Sequence, residues 1–336
     1  MGTERSRTEH ELIAAFARAI DAAGVRPPGL VAGVGDDTAV VRPESGKDTL
    51  LTQDVQVEGR HFERRWLSGR ELGWRLAAVN LSDVAAMGGE PRYALLSIVA
   101  PTDVPQSYLL DAVRGVVAHL SQYRAAVVGG NVSSTEGPLV CDMTLTGVVA
   151  AGRAWRRRAR EGDAIVVAGE LGAAAAGLVL LRTMRRVAPG GRLVRAFKRP
   201  EPRLDVARLL RSNPAVHGAI DVSDGLSGDL VHVCRAAGLG CEVDGGALPV
   251  SRTTELFCRT HGHEPAEWAM RGGEDYALVL AVSPRSAKSV CDRIRTRLEI
   301  PARVVGRFTR AKGVYRMTYP DGSVHRFQPG SWDHFA

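Results

Sequence analysis

Gly33-Val34-Gly35-Asp36-Asp37-Thr38-Ala39-Val40-Val41 places two adjacent carboxylates after two glycines and before a β-branched run. Adjacent aspartates repel each other, and a chain that keeps them together commonly holds a cation there. Further aspartates recur outward from this turn. Asp54 closes a predicted strand over 50–54, Asp83 lies in Asn80-Leu81-Ser82-Asp83-Val84-Ala85-Ala86-Met87-Gly88, and Asp221 and Asp224 bracket Val222-Ser223 ahead of Gly225-Leu226. Brought together, they make a hard, oxygen-rich site suited to Mg²⁺ and phosphate. Asp beside Gly is also the ordinary composition of a turn or helix cap, so any one of these motifs alone reads first as local structure. Their recurrence favours the site.

Composition narrows the class. The 336 residues are enough for two domains, and 45% apolar with 24% charged residues is ordinary for a globular protein. A net charge of +7 permits anionic ligands. The arginine runs Arg156-Arg157-Arg158 and Arg185-Arg186 lack interleaved aromatics, and aromatics make up only 5% of the chain, so no base-stacking nucleic-acid surface is expected. Five scattered cysteines without CxxC spacing argue for a reducing compartment and against zinc. No apolar stretch follows the N-terminus as a signal peptide would, and the longest apolar run, over 171–181, is broken by Gly172 and Gly177. A cytoplasmic protein without membrane contact is expected.

In chain order, Thr8 and Glu11 form a capping box for an amphipathic helix that stops at Gly24. The segment 71–86 predicts a helix whose Asn80, Ser82 and Asp83 interrupt an otherwise apolar side, the kind of local rule-breaking that marks function. A strand over 125–128 leads into Gly129-Gly130-Asn131-Val132-Ser133-Ser134, where backbone N–H groups could cradle phosphate or the chain could simply turn. A composition shift at Ala151-Gly152-Arg153 sets a boundary between domains 1–150 and 151–336. Just beyond it, Arg157 can fold back over a phosphate held by the first domain. The proline-rich, basic stretch 189–202 reads as a mobile connection. His61 reads equally as a loop histidine bonded to backbone or as a substrate contact. His261 and His263 form a His-x-His pair with no zinc-spaced partner. There is no GxxxxGK[ST] loop, no GxGxxG after a strand, no HExxH and no kinase catalytic loop.

Six ordered motifs carry a resemblance over nearly the whole chain: Gly35-Asp36-Asp37-Thr38-Ala39-Val40, Val57-Glu58-Gly59-Arg60-His61-Phe62, the stretch from Val79 to Gly88, Asp221-Val222-Ser223-Asp224-Gly225-Leu226, Gly272-Gly273-Glu274-Asp275-Tyr276 and Trp332-Asp333-His334-Phe335. Together they resemble the thiamine-monophosphate kinases, relatives of aminoimidazole ribonucleotide synthetase and selenophosphate synthetase. The resemblance implies an α/β (α+β) fold of two domains, with an N-terminal domain that pairs with its twin to close a dimeric β-barrel. It implies ATP and several Mg²⁺ ions, with phosphoryl transfer from ATP to thiamine monophosphate and no protein base. By position, Asp37, Thr52, Asp54, Asp83, Asp221, Asp224 and Asn131 correspond to metal positions. Gly130, Asn131, Arg157 and Ser223 correspond to nucleotide contacts, and His61, Glu274 and Trp332 to the acceptor. The sequence departs from the family at Asn131, where Asp follows Gly-Gly, at Gln53, usually Thr, and at Arg60, usually apolar. These departures leave open a paralogue using the same ATP and Mg²⁺ site on another small molecule. A selenophosphate branch is disfavoured because the first cysteine is Cys141, and a non-enzymatic nucleotide-sensing or nucleic-acid-binding dimer because the acidic set is retained.

Overall fold

The computed structural model describes residues 9–34, 38–183 and 191–330. They form two compact units, one of residues up to Val84 with Glu90–Gly152, the other of Ala85–Gly89 with Arg153 onward.

In the first unit, α1 (Glu9–Asp21) buries Leu12 and Phe16, as its apolar spacing predicts. After it come β1 (Leu30–Ala32), β2 (Val40–Val41), β3 (Lys47–Val57), α2 (Gly69–Ala86), β4 (Glu90–Pro101), α3 (Gln106–Ser121), β5 (Ala126–Thr135) and β6 (Val140–Ala150). Strands β1 and β2 pair with each other, and the remainder form a four-stranded sheet in the order β3-β6-β4-β5. Only β4 and β5 run parallel, joined across α3 as a parallel pair requires. Strand β5 continues through Gly129 and Gly130 to Thr135, so these glycines form neither a hairpin nor a free phosphate loop. A Cβ on Gly130 would fall 1.9 Å from Leu96 O, which explains the glycine within a strand.

Helices α2 and α3 meet backbone to backbone. A Cβ on Gly69 would lie 2.2 Å from Tyr108 O, one on Gly73 1.8 Å from Ala112 O, and one on Gly115 2.2 Å from Arg70 O. Both helices lie over the sheet, where Leu72, Leu76, Leu109 and Val113 are buried. The other face of the sheet is open. Alternation along β3 puts Leu51, Gln53 and Val55 on it, and the register through Thr144 adds Leu95. Leu51 is 75% exposed and Leu95 48%. No sheet closes on itself among the described residues.

The second unit contains β7 (Ala164–Ala168), α4 (Ala173–Thr183), α5 (Arg192–Lys198), α6 (Leu204–Leu210), β8 (Val216–Asp221), α7 (Leu226–Ala237), β9 (Gly240–Asp244), α8 (Arg252–Thr260), α9 (Pro265–Arg271), β10 (Leu278–Val282), α10 (Ala287–Leu298), β11 (Ala302–Thr309), β12 (Tyr315–Thr318) and β13 (Val324–Arg326). Its sheet has the order β13-β12-β9-β11-β7-β10-β8, antiparallel except for the β9–β12 pair. Central β7 and β10 are buried at every position, which accounts for their unbroken apolar sequences. The stretch 189–202, expected to be a mobile connection, instead contains α5. Leu193, Val194 and Phe197 form an apolar stripe one helical turn wide, and Leu193 packs with Ala173 and Ala176 of α4. No helix among the described residues is long and apolar enough to cross a membrane.

The α2–α3 crossing leaves no room for a methyl group. Gly73→Ala is expected to lower stability by about 1–3 kcal/mol, the usual cost of overpacking. Urea unfolding checks this, and an unchanged midpoint would mean that the helices part without cost.

Candidate active site

In the first unit, candidate residues gather where β3 passes α2. Thr52 and Asp54 alternate with Gln53 along the strand, so both project to the helix-covered face. Thr52 Oγ1 donates to Asp83 Oδ2. Asp83 lies near the C-terminal end of α2, just after Asn80, whose Nδ2 donates to Leu76 O at 3.1 Å. The polar interruption of α2 therefore serves two purposes, one turn of helix and one carboxylate directed at β3. Gln53 projects oppositely, and its Nε2 donates to Asp142 Oδ2 of β6 at 2.7 Å on the open sheet face. Its departure from the family pattern therefore does not alter the Thr52–Asp54 side.

Asn131 lies in β5 opposite Ser97, and its Oδ1 accepts the Val132 N–H at 2.9 Å. The oxygen that could approach a cation is thus already engaged within the strand. Beside Gly130 and Asn131, an apolar slot is lined by Ile13, Phe16 and Ile20 of α1, Val113 of α3 and Val127 of β5. The loop after β3 holds His61 by two bonds to one residue: His61 N–H donates to Val57 O at 2.9 Å, and Nδ1 accepts the Val57 N–H at 3.0 Å. That acceptance assigns the proton of a neutral ring to Nε2, which is thereby a donor. Arg60 is exposed in the same loop, while Phe62 is buried and anchors it.

In the second unit, buried Asp221 ends β8, and Ser223 and Asp224 occupy the turn before α7. Gly225 takes φ +114° there, and a Cβ would meet Arg271 O at 2.8 Å. The turn is clasped by the Gly272–Tyr276 loop. Glu274 N–H donates to Ser223 O at 2.7 Å, and Tyr276 N–H to Val222 O at 2.9 Å. Glu274 and Tyr276 pay for this with left-handed backbones at φ 65° and 50°. Between them, Asp275 accepts the N–H of Gly172 at 2.6 Å and of Ala174 at 3.2 Å, capping α4. Arg157 lies in a segment laid along β8, where Arg156 O accepts the Ala219 N–H at 3.1 Å. Burial lowers the His232 pKa, and the neighbouring charges of Arg157 and Arg235 lower it further.

Asp37 and Trp332 lie outside the described residues. The first unit brings Thr52 and Asp83 together, and the second joins Ser223 to Glu274 by a backbone bond. No group of three or more His, Cys, Asp or Glu side chains forms a metal cluster among the described residues. The His-x-His pair is packing: the His261 ring stacks on Phe257 at 4.2 Å, and His263 lies 4.7 Å from Trp268. Two residues missed by the sequence reading are Asp229 and Asp275. Asp275 stands in a quoted motif, but its partners lie about a hundred positions away. Asp229 follows Asp224 within α7, a spacing that reads as an ordinary first-turn acid.

Burial pushes the Asp275 carboxyl up to about 7, against the pull of the Gly172 and Ala174 N–H groups. A carboxyl raised on folding stabilises the fold most when neutral. Its contribution is complete below the unfolded value of about 4 and lost as pH rises through about 7. Wild type should therefore lose stability relative to Asp275→Asn over that window. Urea unfolding of both proteins at its two ends checks this, and a constant difference would refute it.

Residues 35–149 match the family described as AIR synthase related protein, N-terminal domain, and residues 160–317 its C-terminal domain. Thiamine-monophosphate kinase of Rhodopirellula baltica is 31% identical over 89% of this chain and 92% of its own. That of Aquifex aeolicus is 34% identical over 90% and 92%. Among solved structures, thiamine-monophosphate kinase from Stenotrophomonas maltophilia superposes with a TM-score of 0.80 at 31% identity, covering 92% of this chain and 96% of that one. AaThiL complexed with AMPPCP and TMP superposes at 0.75 with 30% identity, covering 99% and 100%. With both halves of the chain matched in order and relatives this close along most of its length, the chain belongs to the thiamine-monophosphate kinase family of AIR synthase related proteins.

Proposed function

We propose that the protein transfers the γ-phosphoryl group of ATP to the phosphate of thiamine monophosphate, forming thiamine diphosphate and ADP. The observation that carries this reading is the match along nearly the entire chain to AaThiL, whose structure holds AMPPCP and TMP. A phosphate oxygen of the acceptor attacks the γ-phosphorus as the bond to the β-phosphate oxygen breaks. The acceptor is already an anion, so no side chain need remove a proton, and catalysis reduces to alignment and charge neutralisation.

The donor set fits Mg²⁺: the residues are hard oxygen ligands, and the Asp229 carboxyl is raised first by burial and then by the negative charges of Asp221 and Asp224 near it. Asp37, Thr52, Asp54, Asp83, Asp221 and Asp224 would hold the ions, with Asn131 a weaker neutral position. Mg²⁺, when bound by these residues, would supply charge neutralisation to the phosphates. Gly130, Asn131, Arg157 and Ser223 would contact nucleotide phosphates, with the apolar slot under α1 seating the base. His61 would donate from Nε2 to the acceptor, Glu274 would face it, and Trp332 would stack on its cationic ring, worth about 0.5–2 kcal/mol. A homodimer is supported by the open face carrying Leu51, Val55 and Leu95, since apolar sheet surface of this kind is normally covered. Two such sheets would close as a barrel. Cytoplasmic residence fits the five unpaired, buried cysteines.

The second reading, a paralogue acting on another small molecule, is favoured by Asn131, which has no charge and whose oxygen is engaged by Val132. Chromatographic detection of thiamine diphosphate after incubation with ATP, Mg²⁺ and thiamine monophosphate separates the two. Wild type should form product. Asp83→Ala should form none while keeping its thermal midpoint, because it removes a ligand and not core volume. Absence of product from a wild type that still binds AMPPCP would favour the paralogue. Asn131→Asp should lower the Mg²⁺ concentration required; an unchanged requirement would show that position 131 does not face the metal.

A further inference from the structure

The run Arg156-Arg157-Arg158 is exposed, yet its backbone is closely held. Arg158 N–H donates to Arg156 O at 2.6 Å, closing a three-residue turn with Arg157 at its centre. Arg156 O also accepts the Ala219 N–H at 3.1 Å, so one carbonyl both closes the turn and pins it to β8. Strand β8 is the last in its sheet, and the arginine segment covers its outer edge. Gly218 permits the approach: a Cβ there would fall 2.0 Å from Arg158 O and 2.5 Å from Arg156 O. A second anchor lies at Arg160. Asp163 is 2% exposed, and its Oδ2 accepts the Arg160 N–H at 2.8 Å. His217 Nδ1, on β8, donates to the same carboxylate, 2.8 Å from Oδ2 and 3.0 Å from Oδ1. The backbone of Asp163 is fixed in turn: its N–H donates to Arg160 O at 3.0 Å, and its carbonyl accepts the Phe308 N–H of β11 at 2.8 Å. One buried carboxylate thus joins the far end of the arginine segment to β8. Without these bonds its burial would be strongly unfavourable.

We infer that Asp163 is a positioning residue: with Gly218 it holds the turn at 156–158 against β8, so that the Arg157 guanidinium is presented from a fixed backbone. This rests on the reading of Arg157 as a nucleotide contact. Neighbouring arginines repel one another, and a loose segment carrying three of them would have to be ordered when an anion binds. Anchors at Arg156 and Arg160 remove that cost beforehand. For this, residue 163 needs one oxygen to accept the Arg160 N–H and a second polar atom to meet His217. Asn supplies both, because its amide can donate to Nδ1 of the other histidine tautomer. Ala supplies neither.

Binding of AMPPCP in the presence of Mg²⁺, measured on the full chain, tests this as a double-mutant cycle. Arg157→Ala should weaken binding at least tenfold, and Asp163→Ala at least fivefold. In the Arg157→Ala background, Asp163→Ala should add less than twofold, because the group it positions is already gone. Asp163→Asn should bind within twofold of wild type. Gly218→Ala, which displaces the turn independently, should follow the pattern of Asp163→Ala and replaces it in the cycle where that variant does not fold. An equal loss in both backgrounds, wild-type affinity in a folded Asp163→Ala, or a folded Asn variant as impaired as Ala would overturn the inference. So would loss of fold in both Asp163→Ala and Gly218→Ala, which would make the two residues part of the core alone. If wild type did not bind AMPPCP, or Arg157→Ala left binding unchanged, the functional reading would fail. Hydrogen exchange of the peptide spanning 156–161 would then decide whether Asp163 holds the segment. Asp163→Ala should exchange there at least tenfold faster than wild type, and an unchanged rate would overturn the positioning as well.

Discussion

Carboxylates drawn together out of water repel one another, and a fold that gathers them must restrain them until a counter-charge arrives. Hydroxyl and peptide groups supply part of that restraint here. In the first unit the Thr52 hydroxyl donates to Asp83. In the second, the turn between Asp221 and Asp229 is held by peptide groups from the Gly272–Tyr276 loop.

The cost of this arrangement falls on the backbone. Left-handed conformations at Glu274 and Tyr276 are unfavourable for residues with a Cβ, and they persist because Ser223 O and Val222 O each receive a hydrogen bond in return. Asp275, between them, ties the same loop to the start of α4. Two segments far from it in sequence, the Gly272–Tyr276 loop and the start of α4, thus stabilise one short turn. Loosening either of them would be felt at Ser223, although none of the contacts involves a side chain that the reaction itself would use.

How much of this was legible in the sequence depended on how local the cause was. The strand-turn-helix from Asp221 to Leu226 was readable because its aspartates, glycine and following apolar residues lie within a few positions of each other. The carboxylate of Asp83 was readable because it interrupts an apolar helical face. Gln53 stands out as a departure from the family pattern, and its place in the alternation of β3 directs it away from Thr52 and Asp54. The glycines of β5 looked like a loop because their reason, the approach of Leu96 O, belongs to a strand some thirty residues earlier. Helix α5 was hidden by the prolines and arginines around its short apolar stripe. Asp275 was missed because its partners are backbone N–H groups, which carry no residue identity and leave no mark in a sequence.

The crossing of α2 and α3 bears on how this protein can change over generations. At Gly69, Gly73 and Gly115 the opposing carbonyls occupy the space of any side chain, and α2 carries Asp83. Drift at those positions is barred by volume alone, whatever molecule the enzyme acts on. A lineage that altered its acceptor would be free to change exposed loop residues such as Arg60, yet would have to keep these three glycines. Their constancy among descendants would therefore imitate that of a catalytic group, and only the geometry of the helix pair distinguishes the two.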